Sequence, residues 1–117
     1  MTGQVSYHAG LAAEDIVARH YEMRGVKERA RRWRGPGGEI DLILERGNEI
    51  IFVEVKKSKT FAKAADRVTS QQLQRISASA NGYLATLKHG LSSAARIDVA
   101  LVDSTGAVEI LENVTLH

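Results

Sequence analysis

Gly38-Glu39-Ile40-Asp41-Leu42-Ile43-Leu44-Glu45-Arg46-Gly47-Asn48-Glu49-Ile50-Ile51-Phe52-Val53-Glu54-Val55-Lys56-Lys57 reads as two β-strands joined by a tight turn. Both halves are rich in Ile, Leu, Val and Phe, and Gly47-Asn48 is the kind of short connection that closes a hairpin. The turn fixes the register. If Arg46 faces Glu49, then Ile43 meets Phe52, Asp41 meets Glu54 and Glu39 meets Lys56. A four-residue turn keeps the same pairs, and only an odd-length loop breaks them.

Side chains alternate faces along a strand, so Glu39, Asp41, Glu54 and Lys56 are expected on one face and Ile40, Leu42, Val53 and Val55 on the other. Opposed carboxylates would lie about 5 Å apart and repel by on the order of 3 kcal/mol at an effective dielectric near 20. Such a pair needs a cation. A hard divalent metal meets the need, and so does the Lys56 ammonium on the same face. The competing reading is a solvated hairpin face with ordinary charges. Against it, Ile43, Leu44, Ile51 and Phe52 are apolar on both faces, as in a central strand covered on both sides. The two acids oppose each other, and Glu54-Val55-Lys56 ends an apolar run where a buried strand emerges into a cleft.

The rest of the chain bounds the function. Its 117 residues make one domain, 1–117, with a single core. Cysteine is absent, which excludes disulfides and thiolate zinc sites and suits a reducing compartment. Met1 to Ser6 lacks an apolar signal core and no 18-residue apolar run occurs, so the expectation is a soluble cytoplasmic protein with no membrane partner. His8, His20, His89 and His117 are dispersed, without metal-ligand spacing. The net charge of +2 is unevenly spread: seven bases against two acids from Arg19 to Arg34, six against one from Lys56 to Arg75, and four acids with no base from Ile97 onward. A basic side of this kind suits a polyanion or is simply a solvated surface.

A first helix is expected over 7–24, with Ala13, Ile16, Val17, His20 and Tyr21 on its packed face and Gly25 as its stop. Glu14 flanks that face, as a boundary residue or as a functional acid if the helix packs beside the hairpin's polar end. Residues 26–34 form a basic strand ending near Trp33, an aromatic that either plugs a sheet edge or stacks on a base or guanidinium. Gly35-Pro36-Gly37-Gly38 reads as a flexible turn. The 58–68 segment is either a mobile basic loop or a short helix through 61–65. Thr69-Ser70-Gln71-Gln72 has capping-box spacing and opens a helix reaching toward Gly90, whose first turn, with Gln71, Gln72 and Arg75, suits a phosphate. Strands at 96–102 and 108–112 follow. The order is α-β-β-β-α-β-β, with the second helix crossing between parallel strands of a mixed sheet.

An acid on one strand and acid-x-lysine on the next, here Asp41 and Glu54-Val55-Lys56, resembles the restriction-endonuclease-like PD-(D/E)xK superfamily. The chain is more closely similar to the YraN family of uncharacterised bacterial proteins: Gly38-Glu39-Ile40-Asp41-Leu42-Ile43, Phe52-Val53-Glu54-Val55-Lys56, Trp33-Arg34 before the glycines, and Arg96-Ile97-Asp98-Val99 match in type and order. The resemblance implies an α/β restriction-endonuclease-like fold, a mixed five-stranded sheet flanked by helices, similar to archaeal Holliday-junction resolvases. It also implies that Asp41, Glu54 and Glu14 hold Mg²⁺ or Mn²⁺, that Lys56 positions or activates water, and that Gln72, or Gln71 or Gln74 in another register, supplies the glutamine of the second helix. Arg32, Arg34, Lys57, Lys59 and Arg75 would then bind nucleic acid. Two departures stand out: Ile40 replaces the superfamily's proline, and Ser58 replaces the arginine common two positions after the lysine.

The resulting expectation is a metal-dependent endonuclease acting on DNA, branched or damaged DNA in particular, as a homodimer by analogy with resolvases. The alternatives are a nucleic-acid-binding module that keeps the scaffold without turnover, and a protein whose basic face serves an acidic partner.

Overall fold

The computed structural model describes residues 2–114, with side chains described from residue 11 onward. The elements are α1 (Thr2–Glu22), β1 (Lys27–Gly35), β2 (Gly38–Arg46), β3 (Glu49–Lys57), α2 (Phe61–Asp66), α3 (Ser70–Leu84), a 3₁₀ turn (Gly90–Ser92), β4 (Ala94–Val102) and β5 (Val108–Leu111). They form a mixed α/β fold. The five strands make one sheet in chain order, antiparallel throughout except for β3 and β4, which run parallel across the α2–α3 crossover.

The sheet is covered on both faces, as its doubly apolar central strands require. On one side α1 lays Ala13, Val17 and Tyr21 against Leu42, Leu44, Ile51, Val53, Ala100 and Val102. On the other, α2 and α3 bring Ala64, Leu73, Ile76, Tyr83 and Leu84 onto Ile43, Phe52, Val99 and Leu101. Val26 N–H returns to the Tyr21 carbonyl and Gly25 takes φ +79°, so α1 stops where glycine was expected to stop it. Helix α1 begins earlier than expected, at Thr2. His8's side chain and His117 lie outside the described residues, while His20 is half-buried and His89 exposed.

Of the 58–68 segment, Phe61–Asp66 is helix. Thr60 caps α2 by accepting from Lys63 N–H, which lets Ala64 bury fully. Helix α3 ends at Leu84 rather than continuing toward Gly90. The Thr86 hydroxyl donates to the Tyr83 carbonyl and the next amides close three-residue turns, so the backbone acceptors that would extend the helix are taken. Trp33 is a core plug, edge-on to Tyr83 at 5.3 Å between ring centroids.

The hairpin keeps the expected register from Arg46–Glu49 through Ile43–Phe52, but its ladder ends at Leu42–Val53. Beyond that pair, β2 follows β1 and β3 follows β4. Neither Asp41–Glu54 nor Glu39–Lys56 is a ladder pair, so those two opposed pairs are corrected. The strict alternation of faces also fails. Arg31 and Leu42 pair on the α1 side, whereas Trp33 and Ile40, the next pair, lie on the α3 side. The reversal falls at Arg32, which takes a left-handed φ of +47° opposite Asp41. Ile40 therefore packs with Ile43, not with Leu42 as expected.

The glycine-rich turn is clamped rather than flexible. The Ser79 hydroxyl on α3 accepts from Gly37 N–H at 3.0 Å and donates to the Gly38 carbonyl at 2.7 Å. A Cβ on Gly37 would stand 2.1 Å from the Arg75 carbonyl oxygen, and one on Gly82 would stand 2.7 Å from the Pro36 ring. The glycines permit backbone contact between turn and helix.

Candidate active site at the carboxyl end of the parallel strands

The carboxyl end of parallel strands, where the chain leaves the sheet for a crossover helix, is the usual ligand-binding end of an α/β sheet. Here β3 ends in Glu54-Val55-Lys56-Lys57, with Lys56 beside Leu101 and Lys57 beside Val102 of β4. Glu54 and Lys56 alternate regularly with Val53 and Val55, which pack on the α1 core, so the acid and the amine share the α3 face.

Asp41 joins them because β2 has parted from β3. Its Oδ2 accepts the Val55 N–H at 2.8 Å, filling an amide that the shortened ladder leaves open. The same carboxylate acts on the Glu54 carboxyl. Burial first, then the hydrogen bond and charge of Asp41, push the Glu54 carboxyl up to about 9, with Lys56 and the Val55 amide opposing. Asp41, Glu54 and Lys56 are all half-buried, between core and solvent. The hairpin thus brings the three together, although through a side-chain to backbone bond rather than through a cross-strand pair.

From α1, which covers the face opposite α3, Glu14 comes near Asp41. It is 8% exposed, and its Oε1 is, among the described residues, the only buried side-chain polar atom without a hydrogen-bond partner. Burial raises its pKa, Asp41 raises it further, and Arg32 opposes both. The Arg32 Nε stands 3.9 Å from Oε1, beyond hydrogen-bond range. Asp41, Glu54 and Glu14 are the residues able to offer oxygen to a cation. Among the described residues, however, no three acidic or histidine side chains converge as a ready-made metal-ligand group. Gln72 serves as the third residue of the α3 capping box: its Oε1 accepts from Thr69 N–H at 3.3 Å and its own N–H donates to Thr69. None of its hydrogen bonds reaches the acids.

The basic load divides in two. Arg31 pairs with Glu28 and Asp15, Arg29 pairs with Glu45 and donates to the Tyr83 hydroxyl, and Arg32 faces Glu14, so three of the seven bases in the 19–34 run lie against acids within the fold. Arg34 is largely exposed, with Glu39 at 3.9 Å. By contrast Lys57, Lys59 and Arg75 form no ion pair among the described residues. Lys57 and Lys59 follow directly on Lys56, and Arg75 lies against the Gly37 turn.

A second polar constellation escaped the sequence reading. Asp98, fully buried on β4, accepts from the Tyr21 hydroxyl at 2.8 Å, from Arg96 Nε at 3.0 Å and from Asn113 N–H at 2.9 Å, while Arg96 also reaches Glu49 at 3.2 Å. It sits at the middle of β4, level with Val53 of β3, with Arg96 and Glu49 toward the amino ends, and ties α1 to the sheet. Its one sequence signal is an acid inside the apolar run from Ile97 to Val102.

A model of the uncharacterised protein family UPF0102 matches residues 13–102. A UPF0102 protein of Cereibacter sphaeroides strain ATCC 17029 is 54% identical over 113 residues, covering 97% of each chain. One from Roseobacter denitrificans is 51% identical over 111 residues, 95% of this chain and 86% of the relative. One from Ruegeria pomeroyi is 49% identical over 115 residues, 98% and 94% of the two chains. No described helix is long and apolar enough to cross a membrane.

Proposed function

We propose that this chain, which belongs to the uncharacterised protein family UPF0102, is a metal-dependent nuclease acting on DNA, built on a restriction-endonuclease-like core of the PD-(D/E)xK kind. The observation that carries this reading is the Asp41 carboxylate bound to the Val55 amide beside Glu54, both acids half-buried, with Lys56 on the same face of β3 as Glu54. Two carboxyls so close repel once both are ionised, and a hard divalent cation relieves the repulsion. The donor set fits Mg²⁺ or Mn²⁺. Asp41 and Glu54 would hold the ion, and Glu14 has a buried oxygen still without a partner.

When bound, the ion supplies Lewis acidity, which activates water and draws charge from the phosphate. The residues do the rest. Asp41 is fixed by the Val55 amide, so its other oxygen keeps one direction. Lys56 orients the attacking water and faces the charge that grows on the phosphate. Lys57, Lys59, Arg34 and Arg75 hold flanking phosphates. A resolvase-like role on branched DNA is the finer form of the proposal, and it calls for a two-fold homodimer.

One observation favours a second reading, a nucleic-acid-binding module without turnover: the third acid is not assembled into a ligand group. Incubation with branched, single-stranded and duplex DNA, with Mg²⁺ or Mn²⁺ and then with chelator, separates the two. Metal-dependent cleavage supports the nuclease. Salt-sensitive binding with no cleavage in any metal supports the module.

A further inference from the structure

Three observations meet at Arg32 that its chemistry does not require to coincide. Its backbone is left-handed at φ +47°, a conformation that glycine or asparagine adopts at lower cost. At that same level β1 and β2 change faces, opposite Asp41. Its guanidinium stands over Glu14, an acid more than nine-tenths buried whose Oε1 has no hydrogen-bond partner. At 3.9 Å the two form a loose ion pair, too long for a hydrogen bond and partly open to water on the arginine's side. A buried carboxylate oxygen is thus opposed by a cation that does not close on it. A residue serving only to neutralise Glu14 would gain by closing that gap.

We propose that Arg32 and a divalent ion are alternative partners of Glu14: without the ion the guanidinium stands over the acid, and an ion on Asp41 and Glu54 draws Glu14 to itself and frees Arg32 for a substrate phosphate. The proposal rests on the metal site proposed above. It makes Arg32 a positioning residue that couples occupancy of the acidic site to the grip on nucleic acid. It also accounts for Glu14 being held toward an arginine rather than gathered with the other two acids.

The test is a double-mutant cycle read by Mn²⁺ affinity, measured calorimetrically on the full chain without DNA. Arg32→Gly removes the competitor at a position where glycine tolerates the backbone, so it keeps the fold and should bind Mn²⁺ about tenfold tighter, within the usual range of coupling between sites. Arg32→Asn, which also accepts a left-handed backbone, should repeat the gain. In a Glu14→Gln background the same substitutions should change affinity little, because the competition acts through Glu14. An equal gain in the Glu14→Gln background and in the native one would reduce Arg32 to a distant repulsive charge and overturn the proposal. Wild-type binding that neither Arg32 substitution alters would overturn it while leaving the metal site intact. Absence of Mn²⁺ binding in every variant would overturn both.

Discussion

Glu54 is the residue on which pH acts. Buried, and next to Asp41, its carboxyl titrates near 9 in the folded chain against about 4.5 when exposed. Between those values the native state holds a proton that the unfolded chain has lost, so in the absence of a divalent ion stability is fullest below about 4.5 and declines as pH rises toward 9. Urea denaturation in chelator at mildly acidic and mildly alkaline pH should reveal the decline, and Glu54→Gln should flatten it. An unchanged slope in Glu54→Gln would assign the effect to another group. Added Mn²⁺ should lessen the decline, because the ion binds the deprotonated acid in the native state only. At this scale the sequence was legible in part. The residues that meet, Asp41 and Glu54, were expected from the hairpin, but not the way they meet: the ladder ends at Leu42–Val53, and Asp41 reaches β3 through the Val55 amide. The left-handed Arg32 was not legible, because nothing in an arginine signals that conformation, and the face reversal at its level was missed with it.

Among the elements, the contact between the 35–38 turn and α3 holds the start of β2, and with it the approach to Asp41. Gly37→Ala forces a Cβ into the Arg75 carbonyl and should cost about 1–3 kcal/mol or more, the range for overpacking. Ser79→Ala removes two hydrogen bonds to the turn and should also cost about 1–3 kcal/mol. Both are read from urea midpoints, and a Gly37→Ala chain as stable as wild type would mean that the turn yields freely. Glycine and proline in sequence announce a turn but not what it leans on, which is why the segment read as flexible. Capping was more legible: Thr69 and Gln72 formed the box their spacing implied, and in doing so engaged the side chain that the family resemblance assigned to catalysis. The end of α3 was overrun because Leu87 continues the apolar stripe and still packs on the core from a non-helical turn.

Across the whole molecule, the mixed pairing and the two apolar faces followed from element order and hydrophobic period, since strands apolar on both sides must be covered twice. The polar network around Asp98 needed the fold itself, because Tyr21 and Asp98 are 77 residues apart. Removing one member strands the others: Asp98→Ala leaves Arg96 partly unpaired and should cost about 3–5 kcal/mol in thermal or urea unfolding. A cost under about 1 kcal/mol, within the range of surface changes, would mean water replaces the network. The carboxyl end of β3 leads into Lys57 and Lys59, which with Arg75 form no ion pair among the described residues. DNA affinity should fall log-linearly with salt, and Lys57→Ala, Lys59→Ala or Arg75→Ala should each lower the slope by about one. Arg31→Ala, whose guanidinium is already paired with Glu28 and Asp15, should leave the slope nearly unchanged.

The most direct measurement is the single-turnover cleavage rate of a labelled four-way DNA junction in Mg²⁺ or Mn²⁺, comparing wild type with Asp41→Asn. Asparagine keeps an oxygen for the Val55 amide and removes only the charge, so the fold should survive while cleavage drops by about 100-fold or more. Cleavage by Asp41→Asn at the wild-type rate, or a wild-type protein inert toward DNA in both metals, would contradict a carboxylate pair built to hold a catalytic ion.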